Sequence, residues 1–220
     1  MVKSSLATVF VESPNKSSPR ISKIDTITIH CMAGNLSVES CGALFAKSSR
    51  KASSNYGIGS DGRIACYVGE EDRSWCSSNK DNDNRAITIE VANDGGADTG
   101  WHVSNKAYKS LISLLVDICR RNNINKLVWS DNKYDRVNHK NGCNMTVHRD
   151  FANKSCPGDY LYSLHSKIAD EVNRSLGVFH EDKKIYRVQV GSYSVKKNAI
   201  DMKNKLKSKG FDAIIVEVNK

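Results

Sequence analysis

The sequence predicts an α/β fold. Strand-like runs of β-branched residues alternate with helical patterns as far as residue 175, and a charged stretch then separates them from one further strand-helix-strand pattern. The 220 residues suffice for one domain of ordinary size and a small appendage.

Residues 1–24 read as an arm with one strand, Ala7–Val11, and a polar turn from Ser13 to Pro19. Thr26–His30 alternates β-branched residues and reads as a buried strand ending in a histidine. Ser37 stands where it can cap a helix running to about Ser49. Tyr56–Ile64 reads as a hairpin with Asp61-Gly62 at its turn, and Ile87–Val91 as a strand leading into a loop rich in Asn, Asp and Gly. Leu111, Leu114, Leu115 and Ile118 form one stripe of a helix from Lys106 to Arg121, whose last turn carries two arginines. Residues 129–145 are polar and read as irregular. Leu161, Leu164, Ile168 and Val172 share a face of a helix from about Asp159 to Ser175, with Gly177 as its stop signal. Residues 179–184 read as a charged linker. Beyond it, Tyr186–Gly191 reads as a strand, 195–209 as a Lys-rich helix with Ala199, Met202 and Leu206 on one side, and Asp212–Val218 as a last strand. The expected units are therefore 1–178, the linker 179–184, and a β-α-β unit at 185–220 that is too small to bury much core alone.

Composition narrows the class. Apolar residues at 39% and charged residues at 26% fit a soluble globular protein, and no run of about 18 apolar residues could cross a membrane. The apolar stretch near the N-terminus is short and broken by Glu12, which does not resemble a secretory signal, so synthesis in a cytoplasm is expected. Seven cysteines is an odd number, and free thiols or metal ligation are expected over a disulfide framework. The net charge is +9, with ten Lys/Arg against five Asp/Glu in residues 180–220. Such a surface suits nucleic acid, anionic lipid or an anionic cell wall, or serves solubility alone. The tail's aromatics, Tyr186, Tyr193 and Phe211, make a thin platform for stacking bases, so nucleic acid is not expected as a partner.

The candidate chemistry is His30, His148 and Cys156. Two imidazoles and a thiolate suit zinc, and three protein ligands leave a fourth position open. By residue type alone each has a plainer reading: a satisfied histidine at a strand end, a buried cysteine before Pro-Gly. Cys31 follows His30 on its strand and is expected to face the opposite side, away from a metal. Cys41 and Cys119 are expected in the core, His165 as structural, His139 as an exposed loop residue, and Trp75 as core.

Four segments occur in order: Ile27–Gly34 around His30, Asn55–Gly62, Ile87–Glu90, and His148–Gly158 with Lys154 and Cys156. Together they resemble the type-2 N-acetylmuramoyl-L-alanine amidases, whose fold is shared by phage lysozyme-amidases and peptidoglycan recognition proteins. The likeness covers roughly residues 5–176 and is nearest to lysins of clostridia or their phages. It implies a central mixed β-sheet flanked by helices, and zinc-dependent hydrolysis of the amide between N-acetylmuramic acid and L-alanine in peptidoglycan. It implies zinc on His30, His148 and Cys156, with Glu90 as general base and Lys154 as a second catalytic residue. Tyr56 falls where relatives place a histidine or tyrosine and is expected as a substrate contact. Non-catalytic members of the fold bind peptidoglycan without cutting it, so a recognition module is the alternative.

The tail resembles the first half of a sporulation-related repeat (SPOR) domain, whose whole domains bind peptidoglycan. Only one of two β-α-β repeats is present, so pairing of two chains into a homodimer through residues 180–220 is expected.

Overall fold

The computed structural model describes residues 2–178 and 188–218, so the linker expected at 179–184 lies outside the described residues. The chain divides into two compact units, Met1–His180 and Glu181–Lys220. In the first, eight strands and five α-helices are described, and six of the strands form one mixed sheet.

The sheet order is β1 (Val9–Phe10), β5 (Ile64–Cys66), β4 (Tyr56–Ile58), β7 (Ala86–Val91), β3 (Thr26–Cys31) and β8 (Met145–Val147). The β4/β5 hairpin is the antiparallel step, with Ile58 opposite Ile64 across the expected turn. The other ladders are parallel, and β3 lies between β7 and β8. A short second ladder pairs β2 (Lys16–Ser17) with β6 (Arg73–Ser74).

The period of two along each strand gives the sheet two unlike faces. Ile27, Ile29, Ile87, Ile89 and Val91 join the main core with Leu111, Leu114, Leu115 and Ile118 of α3 (Asn105–Arg121) and Leu161, Ile168 and Val172 of α5 (Asp159–Ser175). The helix stripes expected from the sequence are thus the faces that cover the sheet. Ser104 caps α3 by accepting from the Ala107 N–H, and Gly177 follows α5 at φ +80°.

The alternate face is polar. Thr28 and Thr146 share a hydrogen bond at 2.8 Å, and Asn82 of α2 (Lys80–Arg85) bonds both hydroxyls. Asn55, Thr88 and Ser74 form a matching buried cluster one strand over. The same period carries this face on to His30 and Glu90, which are paired across β3 and β7.

A third layer lies beside the hairpin. Helix α1 (Val38–Phe45), capped by Ser37 as expected, packs Val38, Cys41 and Phe45 on Tyr67. Gly57 in β4 lets that tyrosine lie flat on the strand, since a Cβ there would sit 2.5 Å from Tyr67 Cε2. The ring cannot swing away without losing its 2.7 Å bond to the Val38 carbonyl. Gly57→Ala is therefore expected to destabilise the fold by about 1–3 kcal/mol, read as a lower urea midpoint. An unchanged midpoint would show that the ring has room to move.

Three stretches differ from the sequence reading. Residues 129–145, read as irregular, contain α4 (Lys133–Val137) and lead into β8. The helix is a single turn held by a buried ion pair and shows no amphipathic period to read. The polar turn in the arm contributes β2, whose partner is far away in the chain. In the second unit, α6 (Lys196–Ser208) forms as expected, but residues 188–191 and 211–218 are assigned no strand. Two short strands need a partner sheet to form a stable ladder.

Candidate metal centre

Three adjacent parallel strands end at one place on the polar face. His30 stands near the end of β3, Glu90 near the end of β7, and His148 opens a single 3-10 turn directly after β8. Sites in such sheets form beyond the carboxyl ends of parallel strands, where loops diverge and side chains lose their ladder neighbours. Cys156 arrives from the loop before α5.

Ligand atoms of His30, His148 and Cys156 all lie within 4.8 Å of one another. Cys156 Sγ is 3.4 Å from His30 Nδ1, and the two imidazoles meet edge to face at 5.1 Å between centroids. His30 is fully buried, and its ring is held neutral, with its pKa pushed down to about 3 by burial and then by the neighbouring His148. Neutral imidazole is the form a metal requires. Ser78 Oγ bonds His148 Nε2 at 3.0 Å, which holds that ring and occupies one of its two nitrogens. Burial and then the charge of Lys154 lower the His148 pKa. The donor set, its burial and its spacing fit a zinc ion.

The turn that carries His148 is itself pinned. Arg136 of α4 makes two bonds to Asp150, at 2.6 and 3.0 Å, and both side chains are buried. Asp150 also accepts from the Val147 N–H at 3.1 Å. Arg136 lies 4.4 Å over the Trp129 ring, and Trp129 packs on the fully buried His165, whose Nδ1–H donates to the Leu161 carbonyl at 2.7 Å. His165 is thus structural, as expected. Nothing in the sequence marks Arg136, because an arginine in a polar stretch reads as solvated until its buried partner is known.

Glu90 shares the site. Its Oε2 is buried without a hydrogen-bond partner, while Oε1 lies 3.9 Å from the Cys76 thiol. Burial first, and the Cys31 charge second, push its carboxyl up to about 8. A cation beside it would pull the group back toward its ionised form. Cys76, like Cys66 and Cys143, is left undecided by the sequence, because no motif surrounds it.

Cys31 corrects an expectation. Its backbone N–H donates to Cys156 Sγ at 3.4 Å, and its thiol meets the Cys156 thiol, a contact that together with burial raises the pKa of Cys156. Cys31 is the last residue of the strand, where the alternation of faces no longer separates it from Cys156. All seven cysteines are free.

Tyr56 also departs from expectation. The side chain is fully buried on β4, its hydroxyl donating to Glu70 and accepting from the Ser4 N–H at 2.7 Å. That placement offers no surface to a substrate. Lys154 is exposed and lines a groove of about 480 Å³ with Lys133, Arg149 and Phe151.

The fold matches known structures. AmpD, as a selenomethionine derivative, is 19% identical with a TM-score of 0.55, the match covering 80% of this chain and 98% of that chain. The endolysin N-acetylmuramoyl-L-alanine amidase LysCS from Clostridium intestinale URNW is 16% identical with a TM-score of 0.50, over 75% and 98%. The Staphylococcus aureus hydrolase AmiA, in complex with its ligand, is 15% identical with a TM-score of 0.57, over 78% and 87%. No curated protein matches the chain. Residues 180–220 match the SPOR domain. Residues 20–159, most of the first unit and the strands that build the site, match the N-acetylmuramoyl-L-alanine amidase model, and the chain belongs to that family.

Proposed function

We propose that the chain cleaves the amide bond between N-acetylmuramic acid and L-alanine in peptidoglycan with a zinc ion held by His30, His148 and Cys156. The observation that carries the zinc reading is the convergence of those three donors, within 4.8 Å, on the buried end of the sheet. Zinc bound there supplies a Lewis acid that polarises the amide carbonyl and lowers the pKa of water toward neutrality. Glu90 takes the proton of the attacking water and returns it to the leaving amine, as base and then acid. Its carboxyl projects from the strand beside His30, so it reaches the same space as the ligands. Lys154 is read as stabilising the oxyanion from the groove wall, a role supported by its charge lowering the His148 pKa. A recognition module that binds without cutting commonly lacks part of the ligand-and-base set, whereas His30, His148, Cys156 and Glu90 are all present in this chain, which supports the enzyme reading.

Residues 180–220 are proposed to hold the enzyme on the wall and to pair two chains. Val188, Val190, Ile214, Val216 and Val218 are exposed and spaced at the period of strands, and pairing with a second chain would bury them. Light scattering is expected to give a dimer for the full chain and a monomer for residues 1–178, with the shorter protein still folded and active. A monomeric full chain at micromolar concentration ends the dimer reading, and an inactive, unfolded 1–178 ends the independence of the two units.

The reaction itself is tested by its products. Digested walls are expected to release peptides with free N-terminal alanine and to gain no new reducing sugar ends. New reducing ends without free alanine would identify a glycosidase instead.

A further inference from the structure

Beside the proposed zinc ligands lies a second donor group that the reaction does not use as a metal site. A His30 nitrogen, Cys76 Sγ and a Glu90 oxygen also lie within 4.8 Å of one another. Among the described residues six buried polar side-chain atoms have no hydrogen-bond partner, and two of the six, His30 Nε2 and Glu90 Oε2, belong to this group. His30 is fully buried, so neither nitrogen can turn to bulk solvent for a partner.

The two nitrogens of one imidazole point to different sides of the ring, and a histidine holds a metal on each only as the bridging imidazolate, so the second zinc displaces the remaining ring proton to solvent as it binds. Nδ1 of His30 is the atom 3.4 Å from Cys156 Sγ, which leaves Nε2 for the second group. Cys76 Sγ lies 3.9 Å from Glu90 Oε1. In a tetrahedral zinc site, bonds of about 2.3 Å to sulfur and about 2.0–2.2 Å to oxygen put the two donors roughly 3.5 Å apart, so this pair needs a shift of only a few tenths of an ångström. Cys76 is held in place by its N–H, which donates to Asp83 at 3.0 Å, and Asp83 is itself occupied by that bond and by the Ser77 N–H. The set of imidazole, thiol and carboxylate suits zinc over magnesium or calcium.

We propose that His30, Cys76 and Glu90 form a second zinc site that fills at excess zinc and switches the enzyme off. A cation there occupies the Glu90 lone pairs that must accept the proton of the attacking water. The inference rests on the reading that a first zinc is held by His30, His148 and Cys156.

The test is a zinc titration of metal-stripped full-length protein, with bound metal counted by equilibrium dialysis and elemental analysis and wall cleavage measured in parallel. The parent is expected to bind two zinc ions per chain, with activity greatest at one and at least tenfold lower when the second is bound. Cys76→Ser and Cys76→Ala are expected to bind one and to keep their activity within about twofold across the same range. A parent that saturates at one zinc and stays active at excess overturns the second site alone, and a parent that binds no zinc overturns both sites. Cys76 variants inhibited at the parent's zinc concentration also overturn it, and the parent's count of two or one decides the matter if the variants fold poorly.

Discussion

Glu90→Gln keeps the fold and the metal and loses most of its hydrolysis. The expected fall is about 10²–10⁴-fold in rate, the usual contribution of a positioned acid-base group. The substitution preserves shape and removes the proton acceptor, so bound zinc should stay at the parent's first equivalent. Stability should not suffer, because the parent buries a carboxylate oxygen without a partner. The pH dependence gives a second readout. In the metal-free parent the folded pKa of Glu90 is raised from 4.5 to about 8, so between those values the folded state binds more protons than the unfolded one. Stability from this group is therefore greatest below the unfolded value and is lost as pH rises through the folded one. Metal-free Glu90→Gln should show a shallower decline across that window than the metal-free parent. A variant within about threefold of the parent rate would show that water activation does not need this carboxylate.

Stripping the metal abolishes wall lysis, and zinc restores it. The loss should be nearly complete, since without the metal no group lowers the pKa of the attacking water and Lys154 alone is left to stabilise the oxyanion. Melting temperature should fall with chelation, because a ligand that binds only the folded state adds stability, roughly 4 kcal/mol at a thousandfold excess over its dissociation constant. The buried, neutral His30 and the Cys156 thiol beside it then lose the ion that organises them. Full activity after prolonged chelation, with no metal found by elemental analysis, would remove zinc from the mechanism.

Legibility followed the range of the interactions. The strand Thr26–Cys31, the hairpin and the two long helices were visible because each writes its own period or turn chemistry into consecutive residues. The stretch before His148 was not. Helix α4 and strand β8 exist because Arg136 reaches Asp150 inside the protein and because β3 offers an unpaired edge. Neither cause is local. Tyr56 shows the same limit, since a tyrosine in a motif segment reads as surface chemistry until Glu70 and Ser4 claim its hydroxyl.

The sequence by itself carried the α/β class and the resemblance to the family, and through that resemblance it proposed His30, Glu90, His148, Lys154 and Cys156 as candidates, because motif segments are written in residue type and order along the chain. Only the tertiary structure decided which other groups share their space. Parallel pairing of β7, β3 and β8 brings the ends of distant segments together, and the end of β3 sets Cys31 against Cys156. Cys76 reaches Glu90 through the anchoring of its backbone on Asp83, a contact between residues with no shared motif. The reason is that a site is a set of distances in three dimensions, and a one-dimensional pattern records such distances only where the partners are neighbours in the chain.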